Sequence, residues 1–71
     1  MMVEKILRSA ASDLQMLKTA LSAGCCESLI SEMRGYIKGK LQAARIITGK
    51  EYTWDSDGIY ENHGNEPIIK A

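Results

Sequence analysis

The 71-residue sequence contains no phenylalanine, one tryptophan, one histidine, one proline and only two cysteines, and its formal net charge is zero. Each shortage excludes something. Cys25 and Cys26 are neighbours, and a bridge between them would close a strained ring far from relaxed disulfide geometry, so no intramolecular disulfide is available. Free, buried thiols in a reducing compartment are expected instead. No apolar run approaches the ~18 residues of a membrane span. The opening Met-Met-Val-Glu-Lys lacks the apolar stretch of a signal peptide. A soluble, cytoplasmic protein is the expectation.

The chemistry-bearing residues are equally sparse. His63 stands alone, at no recognised ligand spacing from Cys25 and Cys26, so no zinc site is read. Asp55-Ser56-Asp57-Gly58 opens like a calcium loop, and Glu66 falls at its twelfth position. But Ile59 replaces the oxygen ligand at position five, and Tyr60 occupies position six, where such a loop needs glycine for its bend. No Ser-His-acid or Cys-His arrangement has a recognisable spacing, and no Gly-rich loop follows a strand. The expectation is a protein with no catalytic residue, no cofactor, no metal and no small-molecule substrate.

What is present is helical periodicity. Val3, Leu7, Ala10, Leu14, Leu17 and Leu21 recur at steps of four and three, with Ile6 and Ala20 widening the seam. Gly24 follows where a helix end often puts a left-handed glycine. A second pattern runs through Cys26, Leu29, Ile30, Met33, Ile37, Leu41, Ala44 and Ile47, with Tyr36 at its edge. The fold class is therefore mainly α: an antiparallel helical hairpin, about 3–23 and 26–48, since a link this short joins antiparallel neighbours. One continuous helix through Gly24 is the competing arrangement. Past Gly49, Tyr52 and Trp54 alternate with polar residues before the turn-rich Asp55–Gly58, so residues 50–71 read as an extended tail or a small β-hairpin. Two units result, a hairpin over 1–49 and an acidic, aromatic tail docked on itself, a neighbouring copy or a partner.

A chain of this size buries only about 60% of its unfolded surface, and without a disulfide or metal a partner is the remaining support. Charge is split along the chain, +3 over residues 1–49 and −3 over residues 50–71, so the tail can meet the basic part of its own or a neighbouring copy. Three sets of residues are candidates for contact. Gly35 and Gly39 are costly inside a helix, about 1 kcal/mol each relative to alanine. They lie with Ala43 and Ile46 opposite the core stripe, where small residues let another helix approach. Tyr52, Trp54 and Tyr60 gather aromatic surface in the tail, either as partner contacts or, for Trp54, as a ring folded back on its own hairpin. Arg34, Lys38 and Arg45 share one edge of the second helix and could neutralise nucleic-acid phosphates, or form an ordinary solvated face.

"RGYIKGKLQAARIITGKEY" resembles an Arg-Gly-x-Ile-x-Gly-Leu-x-x-Ala helix that recurs in small helical proteins of tailed bacteriophages, among their virion and assembly genes. The resemblance covers residues 34–52, and Lys40 stands where that pattern has leucine. It implies a small component of a virion or of its head–tail machinery, located in the host cytoplasm or the virion, and it carries over no functional residue. The leading expectation is a non-enzymatic structural or assembly protein acting as a homo-oligomer or on a larger structural protein. A homodimeric helical bundle binding nucleic acid through Arg34, Lys38 and Arg45 comes second. Capture of a host protein by the aromatic tail comes third.

Overall fold

The computed structural model describes residues 2–70. Two helices, α1 (Met2–Ala23) and α2 (Glu27–Thr48), precede three short strands, β1 (Tyr52–Asp55), β2 (Gly58–Glu61) and β3 (Ile69–Lys70). The helices form the expected hairpin, and the expected β-hairpin follows it. Gly24 takes the left-handed φ of 72° that ends α1, and the Cys25 N–H reaches back to the Ala20 carbonyl at 3.1 Å. The chain reverses there, so the continuous helix is not formed. Cys26 occupies the N-cap of α2 without a side-chain cap bond.

Leu7, Ala10, Ala11, Leu14, Leu17 and Ala20 of α1 close on Ile30, Ile37, Leu41 and Ala44 of α2. Ala10 and Ala44 are wholly buried, and their small side chains let the two backbones approach. The seam read from the sequence holds in its middle and fails at both ends of the hairpin. Leu21 is 52% exposed because it lies in the last turn of α1, beside the reversal. Ala20 turns inward instead, lining a groove with Leu29 and Met33. Cys26 is exposed at the N-cap of α2 beside the same reversal, whereas Leu29 and Ile47 are exposed because they lie at the edge of the buried stripe, on the side of α2 that the sheet leaves open. The thiols expected to be buried are both free and exposed.

The tail forms a three-stranded antiparallel sheet in the order β1-β2-β3. The third strand, from the apolar end of the sequence, pairs Ile69 with Ile59; Ala71 lies outside the described residues. Trp54, Ile59 and Ile69 stand in register across the three strands. Because side chains alternate along a strand, this row and Tyr52 face the helices. Ile59 is wholly buried in the helical core, and Tyr52, Trp54 and Ile69 pack against it. Gly58 is required by close approach: a Cβ there would collide with the Ile69 carbonyl oxygen. The sheet thus covers one side of the hairpin, β1 resting on α2 while β2 and β3 rest on α1. The opposite side has no sheet.

Candidate interaction surfaces

The side chains on the sheet-free side follow from the helical turn. Met2, Ser9, Asp13, Met16 and Ala20 fall on that edge of α1, and Leu29, Met33, Tyr36, Lys40 and Ile47 on the facing edge of α2. At its centre the Lys40 ammonium bridges to the Asp13 carboxylate and donates to Ser9 Oγ at 2.7 Å. Large apolar side chains flank this polar link. Met16 is 55% exposed, Met2, Tyr36 and Ile47 are also exposed, and Met16, Leu29 and Met33 line a groove of about 470 Å³. Tyr36 donates to the Glu32 carboxylate one turn earlier, at 2.8 Å. That bond, reinforced by the Glu32 charge, holds the Tyr36 phenol above its ordinary pKa.

The glycine stripe lies on the outer side of α2. Gly35 and Gly39 are exposed, and a Cβ at either would meet nothing within 4 Å. Ile46, 77% exposed, is the most open large apolar side chain of the described residues. Ala43 is partly covered, turned from this line toward the sheet-free side. Within one chain the stripe touches nothing.

The third surface joins residues that the sequence leaves in separate sets. A groove of about 550 Å³ runs between α2 and β1, lined by Lys38, Leu41, Gln42, Arg45, Tyr52, Thr53 and Trp54. The chain turn at Gly49, whose N–H bonds the Arg45 carbonyl at 2.7 Å, brings β1 back alongside the cations. Arg34, one turn earlier, does not line the groove. Tyr60 points to the other face of the sheet, where burial and the nearby Asp55 carboxylate raise its phenol pKa. Tail carboxylates pair within the tail: Glu61 with Lys50 at 3.0 Å, and Glu51 with His63 at 2.7 Å. Among the described residues neither Lys38 nor Arg45 takes part in a salt bridge.

Asp55 accepts the Asp57 N–H at 2.8 Å, which is the work of a turn residue. No cluster of three or more His, Cys, Asp or Glu is placed to hold a metal among the described residues. No helix among them is long and apolar enough to cross a membrane. Cys26 differs from Cys25: its sulfur lies 3.5 Å from Ser28 Oγ. That hydroxyl, and then the Leu29 N–H, lower its pKa. No known protein family, curated protein or solved structure matches the chain.

Proposed function

We propose that this chain is a non-enzymatic assembly protein whose working unit is built by packing the sheet-free face of one copy against that of another. The supporting observation is the apolar surface left open on that face, the groove lined by Met16, Leu29 and Met33 at one end and the exposed Met2 and Ile47 side chains toward the other. A two-fold axis through the Asp13–Lys40 bridge sets the apolar surface at one end of a copy against that at the other end of its mate, the self-complementarity that a symmetric dimer needs. The molecule measures 35 × 21 × 18 Å between Cα atoms, so a long face presents roughly 600–700 Å², close to the ~800 Å² per partner of a standard interface. The accessible surface of 4857 Å² also exceeds the ~4,400 Å² usual for a monomer of 7.9 kDa. The resemblance of residues 34–52 to helices of tailed-phage proteins supplies the setting, a small part of a virion or its head–tail machinery. The glycine stripe of α2 then serves contacts between dimers or with a larger structural protein.

Nucleic-acid binding is the weaker reading, because Arg34 lies outside the groove that holds Lys38 and Arg45 and the chain has no net charge. Solution mass by light scattering over a roughly hundredfold dilution tests the proposal, since an obligate oligomer loses stability with protomer concentration. The expected result is a dimer that dissociates or unfolds on dilution, and a folded monomer when Met16→Glu and Leu29→Glu are combined. A wild-type chain that is monomeric throughout, with an unchanged melting temperature, overturns it.

A further inference from the structure

The groove between α2 and β1 ends on a bare strand edge. In an antiparallel ladder, pairs that exchange backbone hydrogen bonds alternate with pairs that do not. Two bonds fix the phase here. The Asn62 N–H donates to the Glu51 carbonyl at 2.8 Å, so the bonded pairs are Glu51 with Asn62, Thr53 with Tyr60 and Asp55 with Gly58. The Ile59 carbonyl accepts from the Ile68 N–H at 2.7 Å on the far side of β2, so Ile59 does not bond Trp54. The backbone N–H and C=O groups of Tyr52 and Trp54 therefore point away from β2. Since β1 is the edge of the sheet, no neighbouring strand receives them. They border the groove in which Leu41 and Trp54 supply apolar lining and Lys38 and Arg45 supply unpaired positive charge.

We infer that this edge is a docking site for an extended, acidic segment of another protein, which adds to β1 as a fourth strand. Strand addition uses the outward groups of Tyr52 and Trp54 for main-chain bonds. Alternate side chains of the incoming segment then point into the groove, apolar ones toward Leu41 and carboxylates toward Lys38 and Arg45. Charge decides the occupant. A second copy paired edge to edge would set its own Lys38 and Arg45 beside these two, and like charges so placed disfavour the contact. A stacked nucleotide needs an open aromatic face, whereas Tyr52 and Trp54 are half-buried against the core. This site is distinct from the sheet-free face and is occupied without disturbing a dimer formed there.

The test uses the full, isotope-labelled chain and a capped peptide of repeated Thr-Val-Thr-Glu, whose valines and glutamates share one face of an extended strand, followed by nuclear magnetic resonance and amide exchange. The expected result is that the Tyr52 and Trp54 amides shift and gain protection, while those of α1 do not. N-methylating the peptide along one edge at a time should leave binding intact in one case and abolish it in the other. Lys38→Glu with Arg45→Glu, both exposed and remote from the core, should weaken binding about tenfold or more. The same peptide with lysine in place of glutamate should bind that variant better than the wild type. Peptide that leaves β1 unmoved at about millimolar concentration, the weak end of the affinity scale, overturns the inference. So does equal binding of both N-methylated forms. Displacement by oligothymidylate of the same charge would assign the groove to nucleic acid. Protection of Tyr52 and Trp54 that arises without peptide and vanishes on dilution would assign it to a second copy.

Discussion

Lys40 of α2 crosses the hairpin to the Asp13 carboxylate of α1, and the two side chains are only 35% and 21% exposed. This is the one salt bridge between the helices among the described residues. Lys40 also donates to Ser9. Hydrogen bonds to charged groups contribute more than neutral ones, and removing one partner strands the other. Lys40→Ala should therefore cost about 1–2 kcal/mol in urea unfolding, partial exposure keeping it near the low end of the range for paired charges. Asp13→Asn combined with Lys40→Met should recover much of that loss, because no charge is left unpaired. Equal costs for the single and double variants would show that leaving the Asp13 carboxylate unpaired carries no penalty.

The sheet should prove indispensable to the hairpin. Ile59 has no exposed surface, and Trp54 and Ile69 flank it in register. Ile59→Ala should cost about 2–5 kcal/mol, the range for truncating a buried isoleucine. Deleting residues 50–71 should abolish cooperative thermal unfolding. A truncated chain that still melts sharply at the wild-type temperature would show that the helices hold together unaided.

The glycines should fall into two groups. A methyl group at Gly35 or Gly39 meets open space, so Gly35→Ala and Gly39→Ala should each stabilise the chain by about 0.8–1 kcal/mol from helix propensity alone. Gly35→Leu should also fold, yet block any assembly step that packs a helix on this face, by an overpacking cost of ~1–3 kcal/mol. Full assembly with leucine in place would assign the stripe to solvent. Gly58→Ala should instead destabilise the sheet, because its Cβ collides with backbone rather than with a movable side chain.

The two thiols should react unequally. The Ser28 hydroxyl and the Leu29 N–H stabilise the Cys26 thiolate and lower its pKa. Below the ordinary thiol range, a lowered pKa means a larger reactive fraction. In Cys25→Ser and Cys26→Ser variants, iodoacetamide should modify Cys26 faster than Cys25 near neutral pH. The advantage should shrink as pH rises, because it rests on the fraction of Cys26 that is ionised. Ser28→Ala should narrow it near neutral pH; no change would place the cause in the Leu29 N–H alone.

The two helices and their reversal were legible because apolar spacing and Gly24 are local signals. The strands were legible in part: Tyr52 and Trp54 marked β1, and the Asp-rich tetrapeptide marked the turn. Their destination was not legible. A strand of four residues carries no record of what its inner face covers, so Ile59 in the helical core and the pairing of Ile69 depend on contacts distant in sequence. The same limit split the groove, since Lys38 and Arg45 are read on a helix face and Tyr52 and Trp54 on a strand. Leu21 departs from the seam because periodicity reports direction around a helix and is blind to where the helix ends, and the cysteines are exposed because they lie in the reversal itself.

The layering also sets an order of events as the chain is made. Synthesis proceeds from α1 to β3, so the residues of both helices enter the chain before Ile59 and Ile69. A helical pair that forms without those strands lacks its cover, and two long apolar sides face water instead of one. Helix contacts, being local, form quickly, but the core stays open until the last strands arrive. Exposed apolar surface of this kind invites mispairing with neighbouring nascent chains. Interrupted translation around Gly49 would leave a sticky half-product, and the native molecule becomes safe from its neighbours only when β2 and β3 close over it.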